Sequence, residues 1–111
     1  MKDFELFQRE FKKWQRRFGL SGYSVFFMHE EIGNSFAQIV INHSELVATV
    51  TLNNKLSEIA EPFKDIKGDG KHEAIHLLIG RLEMNGRCRE VSSGEIFEAS
   101  EELVNKLGNL I

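Results

Sequence analysis

Two histidines four residues apart with a glutamate between them, His72-Glu73-Ala74-Ile75-His76, form the one segment of this 111-residue chain whose residue types and spacing call for chemistry. On an α-helix, positions i and i+4 share a face, about 6 Å apart along the axis. Both imidazoles can then reach one divalent ion through a ring nitrogen at roughly 2.0–2.1 Å. Glu73 is set about 100° round the helix from His72, where its carboxylate can take a proton from a water held by such an ion. The chemistry described is metal-assisted hydrolysis. Random placement of 4 His and 14 Glu would produce the pattern on the order of 2% of the time, so the surrounding elements have to carry the reading.

The helix that must hold these residues is predicted over residues 70–84. Asp69 stands at its N-cap, Gly68 and Gly70 mark the break before it, and Asn85-Gly86 supplies the stop. With His72 at zero on a helical projection, Leu78, Leu82, Ile75 and Ile79 fall at about 240°, 280°, 300° and 340°, and His76 at about 40°. That arc is expected to face the core, with the two histidines at its border. Leu77 lies near 140°, and only Ala74 and Arg81 occupy the outward sector.

A hydrolytic zinc site takes three protein ligands and leaves one position for water. No histidine follows His76, so another residue type must complete the set. Glu83 shares the histidine face but lies about 10 Å further along the axis. The C-terminal segment is a better source. Ser92 and Glu95 form an S-x-x-E capping box, and Ile96, Phe97, Ser100, Leu103, Val104, Leu107, Leu110 and Ile111 cluster on one arc of a helix of about four turns. Its acids are Glu95, Glu98, Glu101 and Glu102. Glu101 lies nearest the buried boundary, next to Gly108, whose missing side chain would let another element come close.

Other elements follow from periodicity. Phe4, Phe7, Phe11, Trp14 and Phe18 recur at spacings of 3 and 4 before Gly19, which reads as an amphipathic core-packing helix. Three β runs follow, at residues 23–28, 36–41 and 46–52, the last two joined by a hairpin turn at residues 42–45. A short helix is expected around Leu56, Ile59 and Ala60, interrupted near Pro62. The fold class is therefore α+β: one domain over residues 1–111, with a three-stranded sheet packed against the N-terminal helix, the motif helix and the C-terminal glutamate helix.

A helix bearing H72-E-A-I-H76, followed by a glutamate on a second helix, resembles the gluzincin pattern. The size and element order are similar to the minigluzincins and to the short SprT-like metallopeptidases of phages and prophages. The resemblance spans most of the chain, from the opening aromatic helix to the closing helix E101-E-L-V-N-K-L107. It implies a zincin-like fold, a Zn2+ cofactor, His72, His76 and Glu101 as metal ligands, and Glu73 as general base and acid. It also implies that an exposed edge strand runs above the metal and pairs with an extended substrate; residues 46–52 are the candidate. True SprT members take a third histidine that this chain lacks after His76, so a role in repairing DNA–protein crosslinks does not follow.

The expected function is zinc-dependent hydrolysis of peptide bonds, with a peptide or protein as substrate. A non-catalytic or latent zinc-site domain that mediates protein interaction is the other class this sequence admits. Cys88 is a lone thiol, which fits a reducing compartment; it could close the site as a fourth ligand but reads more simply as a thiol of no special reactivity. Tyr23, His29 and His43 could each stabilise an oxyanion but read more simply as strand, loop and turn residues. A net charge of −3 argues against general nucleic-acid binding, since the cluster Lys12, Lys13, Arg16 and Arg17 falls where the helix dipole favours cations anyway. No run approaches 18 apolar residues and the N-terminus is rich in charge, so a cytoplasmic protein without a membrane span is expected.

Overall fold

Apolar spacing of 3 and 4 in the first seventeen residues gives way to alternation, and the computed structural model, which describes residues 2–87 and 92–110, follows that change. Helix α1 (Asp3–Arg17) leads to strands β1 (Ser24–Glu30), β2 (Ala37–Asn42) and β3 (Val47–Asn53), then to a short 3-10 turn (Glu61–Phe63) and helices α2 (Ile66–Arg87) and α3 (Ser93–Leu110). The architecture is α+β, with a three-stranded mixed sheet and helices on one side of it. No helix among the described residues is long and apolar enough to cross a membrane.

The aromatic stripe of α1 does what its spacing implies. Phe7, Phe11 and Trp14 are buried together with Ala48, Val50 and Leu52 of β3 and with Ala74 and Leu77 of α2. Full burial of each large side chain is worth about 1.5–3 kcal/mol. Phe27 of β1 meets the edges of both Phe7 and Phe11, at centroid distances of 6.4 and 5.6 Å. Beyond the helix end, Gln15 donates from Nε2 to the carbonyls of Leu20 and Tyr23, which fixes the route of the chain into β1. The basic cluster covers aromatic surface: Lys13 and Arg17 lie over the Trp14 ring, and Lys12 over Phe27.

In the sheet the order is β1-β3-β2, with β1 parallel and β2 antiparallel to β3. The residue 42–45 turn joins β2 to β3, and Asn42 Oδ1 closes it by accepting from Ser44 Oγ and the Glu45 amide. The long loop between β1 and β2 is tied down by Asn53, whose Nδ2 donates to the carbonyls of Gly33 and Ser35 at 2.9 and 2.8 Å. β3 is thus the central strand. The expectation that residues 46–52 form a free edge is wrong: every residue from Val47 to Asn53 has partners in β1 and all but Asn53 in β2, because a strand buried on both sides needs its ladder satisfied twice.

Helix α2 is longer than its punctuation suggested. Asp65, not Asp69, caps it, accepting from the Gly68 amide at 3.1 Å, and Gly68 and Gly70 lie inside the first turns. Gly70 is required by proximity, since a Cβ there would come within 2.9 Å of the Phe7 carbonyl oxygen and 3.2 Å of the Phe11 nitrogen. Gly86 likewise sits within the helix, which continues to Arg87. The buried face is also split rather than continuous. Ala74 and Leu77 enter the main core, while Ile75 and Ile79 pack on Val104 of α3. Leu78 and Leu82, expected at the centre of the apolar arc, are 38% and 68% exposed. The helix is clasped from two sides, by α1 and the sheet on one and by α3 on the other, so the sector between about 240° and 280° is left outward.

The expected short helix at residues 56–60 is a turn, closed by Ser57 Oγ accepting from the Ala60 amide, and Pro62 then lies in the 3-10 turn. In α3 Ser92 caps the helix as read, its Oγ accepting from the Glu95 amide at 3.1 Å; the Glu95 carboxylate accepts from the Ser92 hydroxyl in place of the backbone amide of a full capping box. The helix runs for 18 residues, closer to five turns than four. Lys71 Nζ donates to the Gly108 carbonyl at 2.7 Å, locking the far end of α3 to α2. A Cβ on Gly108 would meet nothing, so that glycine admits no neighbouring element.

Candidate metal centre

Along α2 the two histidines fall between its two packing faces, in the sector from about 0° to 40° on the projection used above. The sheet side begins near 80° with Gly80, and the α3 side near 340° with Ile79. His72 and His76 therefore line the floor of a cleft walled by β2 and α3. The rings meet edge to face with centroids 4.9 Å apart. From the opposite helix Glu101 projects between them: its Oε1 lies 3.0 Å from His76 Nε2 and its Oε2 lies 3.8 Å from His72 Nε2.

What brings Glu101 there is the seating of α3. Val104 is fully buried against Ile75 and Ile79, Ser100 Oγ donates to Glu83 Oε2, and Glu83 Oε1 is paired with Arg87 at 3.0 Å. Glu101 is flanked by these two contacts and faces the histidines. Glu95, Glu98 and Glu102 are exposed. Of the four acids open at the level of sequence, the structure brings Glu101 to the histidines.

His72, His76 and Glu101 each offer one ligand atom, all within 4.8 Å of one another. A tetrahedral ion with bonds near 2.1 Å separates its ligands by roughly 3.4 Å, within the range seen here. Two imidazole nitrogens and a carboxylate oxygen suit a divalent ion, and partial exposure of all three side chains, 35%, 17% and 32%, leaves an approach from the cleft. Burial, reinforced by the neighbouring His76, lowers the pKa of His72 and favours the neutral imidazole that ligates metal.

Glu73 sits beside this group, 6% exposed and lining the same cleft. Burial pushes its carboxyl up to about 8, and the carboxylates of Asp69 and Glu101 add to the effect. Asp69, one turn earlier on the same face, is itself raised to about 6 by burial and then by Asp65. Its Oδ2 is buried without a hydrogen-bond partner. Read as an N-cap, Asp69 gave no hint of this; its i,i+4 spacing to Glu73 was the available signal.

The cleft has a volume of about 1310 Å³ and runs the length of β2. Among the described residues β2 pairs with β3 alone, and it lines the cleft along its length, so the edge strand beside the histidines is residues 37–42. Of the three other groups with oxyanion chemistry, His43 lines the cleft and its Nδ1 lies 3.2 Å from Tyr23 Oη. Its ring rests on Gly80, where a Cβ would lie 2.8 Å from Cε1. His29 stacks on Phe4 at the β1 edge of the sheet, the edge away from β2. Cys88 lies outside the described residues. No protein-family model matches this sequence, and neither a curated protein nor a solved structure does.

Proposed function

We propose that the chain is a zinc-dependent metallopeptidase of the gluzincin type on a minimal zincin-like domain, with His72, His76 and Glu101 as metal ligands and Glu73 as general base and acid. The observation that carries this reading is the convergence of three ligand atoms from two helices within 4.8 Å, with a buried carboxyl one residue from the first of them. When bound, zinc supplies a Lewis acid and brings the pKa of a water toward about 7. Glu73 accepts the proton of the attacking water and returns it to the leaving amine. A carboxyl whose surroundings raise its proton affinity suits a group that must both take and give a proton near neutral pH. The outer edge of β2, unpaired among the described residues, supports a peptide as substrate, because a row of such amides and carbonyls pairs with an extended backbone.

Zinc content and hydrolysis of an unstructured protein such as casein, measured for wild type, Glu73→Gln and His76→Ala, test the reading. Wild type should carry about one zinc per chain and cleave. Glu73→Gln should keep the zinc and lose about 10²–10⁴-fold in rate, the usual worth of a general base. His76→Ala should lose both. Zinc retained by wild type with no cleavage would make the site a structural or latent one.

A further inference from the structure

The cleft has a direction. Lys64, just before α2, pairs with Asp3 at 3.1 Å, and the adjacent Phe4 stacks on His29. His29 is level with Leu52, which is level with Ala37 at the start of β2. The beginning of α2 therefore lies at the beginning of β2. At the other end, Gly80 lies under Ile41 and His43. β2 and α2 run the same way, while α3 runs back, with Gly86 beside Ile96 and Lys71 bonded to Gly108.

The two ends of the cleft differ. Past His76, toward the His43 end, stand Met84 of α2 and Phe97 of α3, both lining the cleft and 41% and 55% exposed. Phe97 is one turn from Glu101, about 6 Å along α3, and Met84 about 12 Å past His76 along α2. At the opposite end are the Asp69 carboxyl, Ser35 and Phe36, the last less exposed than either Met84 or Phe97. Antiparallel pairing is the more stable and more frequent way to extend a sheet. A peptide added antiparallel to β2 enters with its N-terminal part at the His43 end.

We propose that the cleft selects peptides that lie antiparallel to β2 and place a large apolar side chain between Met84 and Phe97, on the N-terminal side of the bond cleaved. At about 3.3 Å per residue, a distance of roughly 6–12 Å puts that side chain two to four residues before the bond. The inference rests on the peptidase reading above and assigns Phe97 and Met84 as residues that determine specificity.

Cleavage sites in a peptide library, mapped by mass spectrometry with the zinc-loaded protein, should be enriched in Phe, Leu, Ile or Met at those positions. Phe97→Ser and Met84→Ser should reduce kcat/KM for such peptides about 10–200-fold, chiefly through KM, with zinc content unchanged. Enrichment confined to the C-terminal side of the bond, or indifference to both substitutions, overturns the proposal while leaving the peptidase reading standing. Direction is read independently of turnover with zinc-loaded Glu73→Gln and a blocked peptide bearing one phenylalanine three residues before its central bond. A nitroxide on the N-terminus of that peptide should broaden the Met84 methyl resonance, and one on the C-terminus the Ser35 amide. The reverse pattern, or no binding, overturns the proposal.

Discussion

Replacing Glu73 with glutamine should remove a pH dependence of stability from the metal-free protein. Burial and the nearby Asp69 and Glu101 carboxylates raise the Glu73 carboxyl from 4.5 to about 8. Between those two values the folded chain holds a proton that the unfolded chain has already released. Stability from this group is therefore undiminished below about pH 4.5 and declines as pH rises toward 8, the opposite of a salt-bridged carboxylate. The interval of about 3.5 pH units, at about 1.4 kcal/mol each, amounts to roughly 5 kcal/mol. That is a large share of the 5–15 kcal/mol typical of a domain. Glutamine keeps the shape and cannot ionise. Urea unfolding in the presence of a chelator, from pH 5 to pH 9, should find the two proteins close at pH 5 and Glu73→Gln more stable by a few kcal/mol at pH 8 and above. Asp69 contributes to the same downward trend in both proteins, at lower pH, so the difference between them isolates Glu73. Added zinc should flatten the wild-type slope, since a nearby cation favours the charged carboxylate. Parallel pH profiles for the two proteins, or a wild type that is the more stable at pH 8, would refute the argument that this carboxyl is buried at a cost.

Two further substitutions test how the site is held. Gly70→Ala should destabilise the fold by about 1–2 kcal/mol in urea unfolding, because overpacking against the Phe7 and Phe11 backbone costs more than the roughly 1 kcal/mol of helix propensity gained; a net stabilisation would mean that α1 and α2 can part cheaply. Asn53→Ala should cost about 1–3 kcal/mol, as it deprives the Gly33 and Ser35 carbonyls of their donor and the Lys55 amide of its acceptor. The same change should raise KM for peptides, since the loop it anchors leads directly into the edge strand β2.

Much of this was legible before any coordinates. The spacing of Phe4 to Phe18 announced α1, alternation announced three strands, and Ser92 with Glu95 announced the start of α3. His72, Glu73 and His76 were marked by type and spacing, and Glu101 by its position at the edge of an apolar arc. Local signals misled where a neighbour supplied the reason. Gly68 and Gly70 looked like a break in the chain, but the glycine at 70 exists because α1 passes too close for a Cβ. Leu78 and Leu82 looked like the core, yet α2 is gripped on either side of them.

The sequence by itself determined which residues could hold a metal ion and which elements carry those residues, because a helix repeat and an N-cap are properties of a few consecutive side chains. Only the tertiary structure decided that Glu101, among four acids, meets both imidazoles, that β2 rather than β3 borders them, and that Met84, Phe97 and His43 share their cleft. Those facts depend on how α2 is clasped between the sheet and α3. Such contacts between residues far apart in sequence leave no periodic trace in either segment.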